Sequence, residues 1–129
     1  MASGREIRSN IDTENVKGLL LINGGGAIAL LAFLPSILGI EEYRDLVRAV
    51  VWGIMGFQVG LVTAVMHNFW RRRCSLAWEQ DRNKCQIFGK PLFEPCICYW
   101  SHGFMFGSLL CFVAACVKVA LAALAITAP

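Results

Sequence analysis

The sequence has few charged residues and few prolines. Asp, Glu, Lys and Arg make up 16% of its 129 residues, and only four residues are Pro. Soluble domains carry about 25% charged residues, so this composition disfavours an ordinary water-soluble protein. The net charge of +3 is small and spread over several segments. It gives no indication of binding to nucleic acid.

Motifs of common catalytic machinery are also missing. The sequence contains no Gly-x-Ser-x-Gly, no phosphate-binding loop and no His-Glu-x-x-His. Ser101 and His102 are adjacent, but neighbouring residues on a helix point to different sides. We therefore expect a protein that is not an enzyme.

Apolar residues are abundant instead, and they fall into three long blocks. The hydrophobic fraction is 57%, and each block reaches the roughly 20 residues that a helix needs to cross a bilayer. We predict an all-α integral membrane protein, one domain over residues 1–129. Its transmembrane helices would cover about 18–40, 46–70 and 97–126. Residues 1–16 would form a polar tail whose helix begins at Asp12 or Thr13.

The charged residues between the blocks predict the orientation. Residues 71–95 contain six Lys or Arg and three acids, whereas residues 41–45 contain three acids and one Arg. Basic loops remain on the cytoplasmic side. We therefore expect a cytoplasmic N-terminal tail, a cytoplasmic basic loop at 71–95 and an outside C-terminus.

Small residues recur along each predicted helix. Such residues allow helix backbones to approach closely in a membrane. More small-residue faces are present than one three-helix bundle needs, which predicts self-association or a partner subunit. The predicted packing residues are Gly24, Gly25, Gly26, Gly53, Gly56, Gly60, Gly103 and Gly107.

Three polar side chains lie inside the predicted spans: Asn23, Gln58 and Lys118. Polar groups inside a membrane are costly and are therefore candidates for function. In a ring of copies these three would line a water path. The simpler alternative is hydrogen bonding within or between helices, with Lys118 extending to the membrane surface.

Cysteines and histidines near the inner boundary raise the question of a metal. Six side chains carry the sulfur and nitrogen atoms that can bind zinc: Cys74, Cys85, Cys96, Cys98, His67 and His102. Their cysteines lack the paired Cys-x-x-Cys spacing that is typical of zinc sites. Lipidation of Cys74 is a further alternative. His67 and His102 are also candidate haem ligands. We favour unmodified cysteines, hydrogen-bonded histidines and no cofactor.

The segment LLLINGGGAIALLAFL, residues 19–34, resembles a set of small, uncharacterised bacterial inner-membrane proteins. Those proteins carry an Asn-Gly-Gly-Ala-type motif early in the first of three or four helices. The likeness extends loosely to the second helix and to SLLCFVAACVKVALAAL. It implies a bacterial source and a helical bundle, and no known activity.

Together these features predict a self-associating, non-enzymatic protein of the bacterial inner membrane. The leading hypothesis for its activity is an oligomeric pore or a membrane-perturbing effector, by analogy with small phage-defence proteins. One alternative is an accessory or anchor subunit of a membrane complex, binding haem or metal. Another is a scaffold that binds anionic lipid headgroups through Arg71, Arg72 and Arg73.

Overall fold

The computed structural model describes residues 4–80 and 97–127, with side chains described for 10–72 and 99–127. Within these ranges the chain forms three long α-helices, one short 3-10 turn and no strand. The helices are α1 (Gly4–Ile37), α2 (Arg44–Gln80) and α3 (Ile97–Thr127). In the described residues, the prediction of an all-helical protein with three long helices is confirmed.

Two of the predicted helix boundaries are wrong because the helices are longer. α1 begins at Gly4 rather than at about 12–18, so most of the predicted tail is helical. α2 runs ten residues past Trp70, into the predicted loop, of which residues 81–96 lie outside the described part. Neither extension contains Gly or Pro after Gly4. Nothing therefore interrupts these helices where the apolar block ends.

A tight connection separates α1 from α2. α1 passes through Pro35 and ends at Ile37, three residues short of the predicted end. Gly39 follows with a φ of +89°. This left-handed conformation is a common stop signal directly after a helix and favours glycine. The 3-10 turn Glu41–Tyr43 then leads directly into α2.

The three helices pack side by side, with α2 between α1 and α3. Ile37 of α1 lies in one cluster with Leu46, and Asn23 lies beside Gly60. α1 and α2 are therefore antiparallel. Buried residues of α2 recur at alternating spacings of three and four, as in left-handed helix packing: Leu46, Val50, Gly53, Phe57, Gly60, Ala64 and His67.

The outer surface of the bundle is apolar. Each helix contains a segment long and apolar enough to cross a membrane: Asn10–Ile37, Glu41–Arg72 and Tyr99–Thr127. α3 is the most peripheral, since only 6% of its most apolar window is buried, against 33% for α2. These properties are those of a multi-pass membrane protein.

Candidate functional site

A buried hydrogen-bonded group joins all three helices near the middle of the bundle. We call it the central polar layer; it consists of Asn23, Gly60 and Ser108. Asn23 Nδ2 donates to Ser108 Oγ at 3.1 Å and to the Leu19 carbonyl at 3.0 Å. Ser108 Oγ donates in turn to the Gly60 carbonyl at 2.8 Å. The side chains of Asn23 and Ser108 are fully buried, so these bonds fix the helices at one level.

Gly60 is required by this arrangement. A Cβ atom at Gly60 would overlap Asn23 Oδ1, so the amide oxygen occupies the space that a side chain would fill. No donor in the described part of the chain reaches Asn23 Oδ1. Its neighbour is the Cα of Gly60, and a Cα–H group is a weak donor to oxygen.

A second buried polar contact lies two turns nearer the basic end of α2. His67 Nδ1 is 2.6 Å from the Ser101 carbonyl oxygen and 2.9 Å from Ser101 Oγ. Because a carbonyl only accepts, the shorter contact places a proton on Nδ1. Ser101 Oγ also donates to the His67 carbonyl at 3.4 Å. His67 therefore serves as a buried link between α2 and α3.

The two histidines are not brought together. His67 is 3% exposed and its ring is engaged by Ser101, whereas His102 is exposed on another side of α3. Ligation of one haem by both histidines needs two imidazoles facing one another across the ring plane. That geometry is not formed by His67 and His102 in this arrangement.

Metal-ligating side chains are scattered in the described residues. No group of three or more His, Cys, Asp or Glu is placed there to hold a metal ion. Cys111 is half-buried and Cys116 is exposed on α3. The side chains of the other zinc candidates lie outside the described residues: Cys74, Cys85, Cys96 and Cys98.

The predicted packing glycines divide into three groups. Four face a neighbouring helix so closely that a Cβ would crowd it: Gly26 against Phe57, Gly53 against Leu30 and Val119, Gly56 against Ala115, and Gly60 against Asn23. Gly24 has ordinary space, 3.8 Å from Leu61. Gly25, Gly103 and Gly107 face open space, with nothing within 4 Å of an added Cβ. The glycines of α2 thus serve contacts inside one chain.

The three candidate pore-lining residues point in different directions. Asn23 is enclosed in the central polar layer. Gln58 is exposed on the outer side of α2. Lys118 is also exposed, with its ammonium 5.2 Å from the centre of the Trp52 ring, a cation–π contact. A path between copies would therefore not be lined by Asn23.

The basic end of α2 is tied to α1. Arg71 Nε donates to Asp12 Oδ2 at 2.7 Å, and Arg71 Nη2 pairs with the same oxygen. Both side chains are about 30% exposed. Arg71, predicted to contact lipid headgroups, is therefore engaged by its own chain. Arg72 is exposed, and the side chain of Arg73 lies outside the described residues.

Sequence reasoning missed Ser101, Ser108 and the pairing role of Asp12. The signal for the serines is a seven-residue repeat of small residues on α3, Ser101, Ser108, Ala115 and Ala122. All except Ala122 are buried. A repeat of seven marks the packing face of a left-handed bundle.

No protein-family model, curated protein or solved structure matches this chain.

Proposed function

We propose that this protein is a non-enzymatic, multi-pass membrane protein that self-associates in the bilayer. The observation that supports this most is the position of Gln58. Its side chain is exposed near the middle of the apolar segment Glu41–Arg72, and it has no hydrogen-bond partner in the described part of the chain. Lipid tails offer no partner to an amide, so another molecule must supply it.

We also propose that small residues contribute to self-association, at fewer positions than the sequence predicted. The α2 glycines are occupied by α1 and α3. Of the predicted packing glycines, Gly25 on α1 and Gly103 and Gly107 on α3 remain available to another chain. Small outward-facing residues permit close helix contact.

The finer parts of the proposal concern location and activity. We propose a bacterial inner membrane from the resemblance of residues 19–34, and an inside N-terminus because the segment after Trp70 is basic. The proposed activity of the oligomer is a pore or membrane perturbation of the kind used in phage defence. Gln58 and Lys118 are the candidate lining residues, because Asn23 is enclosed within one chain.

The test is to measure the mass and absorption spectrum of the protein in mild detergent. A colourless homo-oligomer is the expected result. A monomer, or a species with a Soret band that is lost on His67→Ala, would contradict the proposal and favour the anchor-subunit alternative.

Ion flux through vesicles containing the protein tests the pore separately. Flux that falls on Gln58→Leu or Lys118→Leu supports it. An oligomer without flux would remove the pore from the proposal and leave self-association.

A further inference from the structure

Gln58 lies in the middle of a regular apolar face of α2. We call it the Gln58 face; it consists of Val51, Met55, Gln58, Val62 and Val65. The spacings alternate between four and three, as along one side of a helix in left-handed packing. All five side chains are exposed. The face lies roughly 150° around the helix from the buried side, at about 100° per residue.

We infer that two copies of this chain pair in parallel along the Gln58 face, with the two Gln58 amides hydrogen-bonded to each other. This inference rests on the proposed self-association and names the surface that carries it. A primary amide contains both a donor and an acceptor. It is therefore complementary to a second copy of itself.

Depth in the membrane favours a second copy as the occupant. Copies inserted in the same direction carry Gln58 at the same depth. A two-fold axis along the membrane normal then brings both amides together, and each donates to the other. No charged residue occurs between Ala49 and Trp70, so nothing along the face repels an identical partner.

The chemistry of the flanking positions favours a dry contact over a water path, so this inference leaves Lys118, and not Gln58, as the candidate lining residue of the proposed pore. Val51, Met55, Val62 and Val65 are 42–63% exposed and offer no polar atom to water. Aliphatic side chains at this spacing interlock between helices, and one central amide fixes their register.

Two other polar groups of these helices, Thr63 and Lys118, have partners inside the chain. Thr63 Oγ1 donates to the Val59 and Gly60 carbonyls, at 3.0 and 2.9 Å. Lys118 lies over Trp52. Gln58 is thus the polar group near mid-span, in the described part of the chain, whose bonding depends on another molecule.

The test is energy transfer between N-terminally labelled copies in phosphatidylethanolamine–phosphatidylglycerol vesicles, over a range of protein-to-lipid ratios. Gln58→Leu should raise the apparent dissociation constant about tenfold, which is the loss of two interhelical hydrogen bonds of about 0.7 kcal/mol each. Gln58→Asn, which keeps the amide, should retain part of the affinity.

Control substitutions test whether the loss of association comes from the Gln58 face. Thr63→Val removes a polar group from the same helix that already has partners and should leave the dissociation constant unchanged. Val62→Ala, on the Gln58 face, should weaken association, whereas Leu110→Ala, on exposed α3, should not. Helix content by circular dichroism should be equal in all variants, because every substituted side chain is exposed or half-exposed.

The outcomes separate this inference from the proposed function. Absence of energy transfer in the unsubstituted protein at every ratio overturns both. Association that is equally strong in Gln58→Leu overturns the Gln58 face and leaves self-association. Unchanged association with loss of ion flux would make Gln58 a lining residue and overturn the dry contact.

Discussion

At the scale of single residues, adjacent glycines of α1 have different surroundings. A Cβ at Gly26 would lie 2.7 Å from the Phe57 ring, whereas a Cβ at Gly25 would meet nothing within 4 Å. The ring is itself buried between α1 and α3 and packs on Phe112, so it has little room to move. The two positions therefore form a matched pair.

We expect Gly26→Ala to lower the free energy of unfolding by about 1–3 kcal/mol, the usual cost of overpacking. Gly25→Ala should leave it unchanged or raise it by up to about 1 kcal/mol through helix propensity. Unfolding by denaturing detergent, followed by circular dichroism, measures both. Equal effects at the two positions would mean that α1 does not present Gly26 to α2.

A second prediction at the scale of residues concerns the central polar layer. Gly60→Ala should destabilise the protein by about 1–3 kcal/mol, because its methyl group overlaps Asn23 Oδ1. Asn23→Ala alone should also destabilise, since it removes the bond to Ser108. In the double variant the overlap is gone, so the cost should be less than the sum.

A double-mutant cycle measures this coupling. Strictly additive costs would show that Gly60 and Asn23 do not touch. Gly103→Ala is the control, because that glycine faces open space; it should add independently to Asn23→Ala.

At the scale of helices, the Asp12–Arg71 pair holds the early part of α1 against α2. Arg71→Ala should make the amides of residues 10–16 exchange with deuterium about two- to fivefold faster, because a partly exposed ion pair contributes about 0.5–1 kcal/mol. Arg72→Ala is the matched control, since Arg72 is exposed and should leave exchange unchanged. Equally fast exchange in both variants would mean that the lost positive charge, and not the ion pair with Asp12, causes the change.

The number of helices was predictable from the sequence, but their lengths were not. The apolar blocks locate the segments that fit a membrane. The ends of these blocks do not determine where a helix ends, because polar residues can continue it. Residues 5–17 and 71–80 contain no Gly or Pro, and the ion pair between Asp12 and Arg71 joins residues 59 positions apart. Such a distant pairing leaves no periodic signal in the sequence.

The packing face of α3 could not be chosen from small residues alone. Two pairs of small residues lie on different sides of this helix: Gly103 and Gly107, four residues apart, and Ser101 and Ser108, seven residues apart. Residue size does not distinguish the two sides. The serines face inward because their hydroxyls meet His67 and Gly60 on α2. The identity of those partners depends on the tertiary arrangement. On α2, by contrast, Gly53, Gly60 and Ala64 share one buried stripe that the sequence pattern contained.

At the scale of the whole molecule, polar and apolar groups are arranged as a bilayer requires. Asn23, Ser101 and Ser108 are fully buried, whereas large aliphatic side chains cover the outside. In water such a surface would aggregate, and in lipid it is matched to its solvent. In the described part of the chain, Gln58 is the exception near mid-span, and that exception is why we propose an assembly of copies.

The most direct test of that assembly is to count copies in a bilayer. Protein carrying one fluorophore at its N-terminus is diluted into vesicles, and bleaching steps are counted in single vesicles that hold few molecules. We predict two or more steps per spot in excess of random co-occupancy, persisting as the protein is diluted in lipid. Single steps at every dilution, with the helical spectrum intact, would contradict self-association.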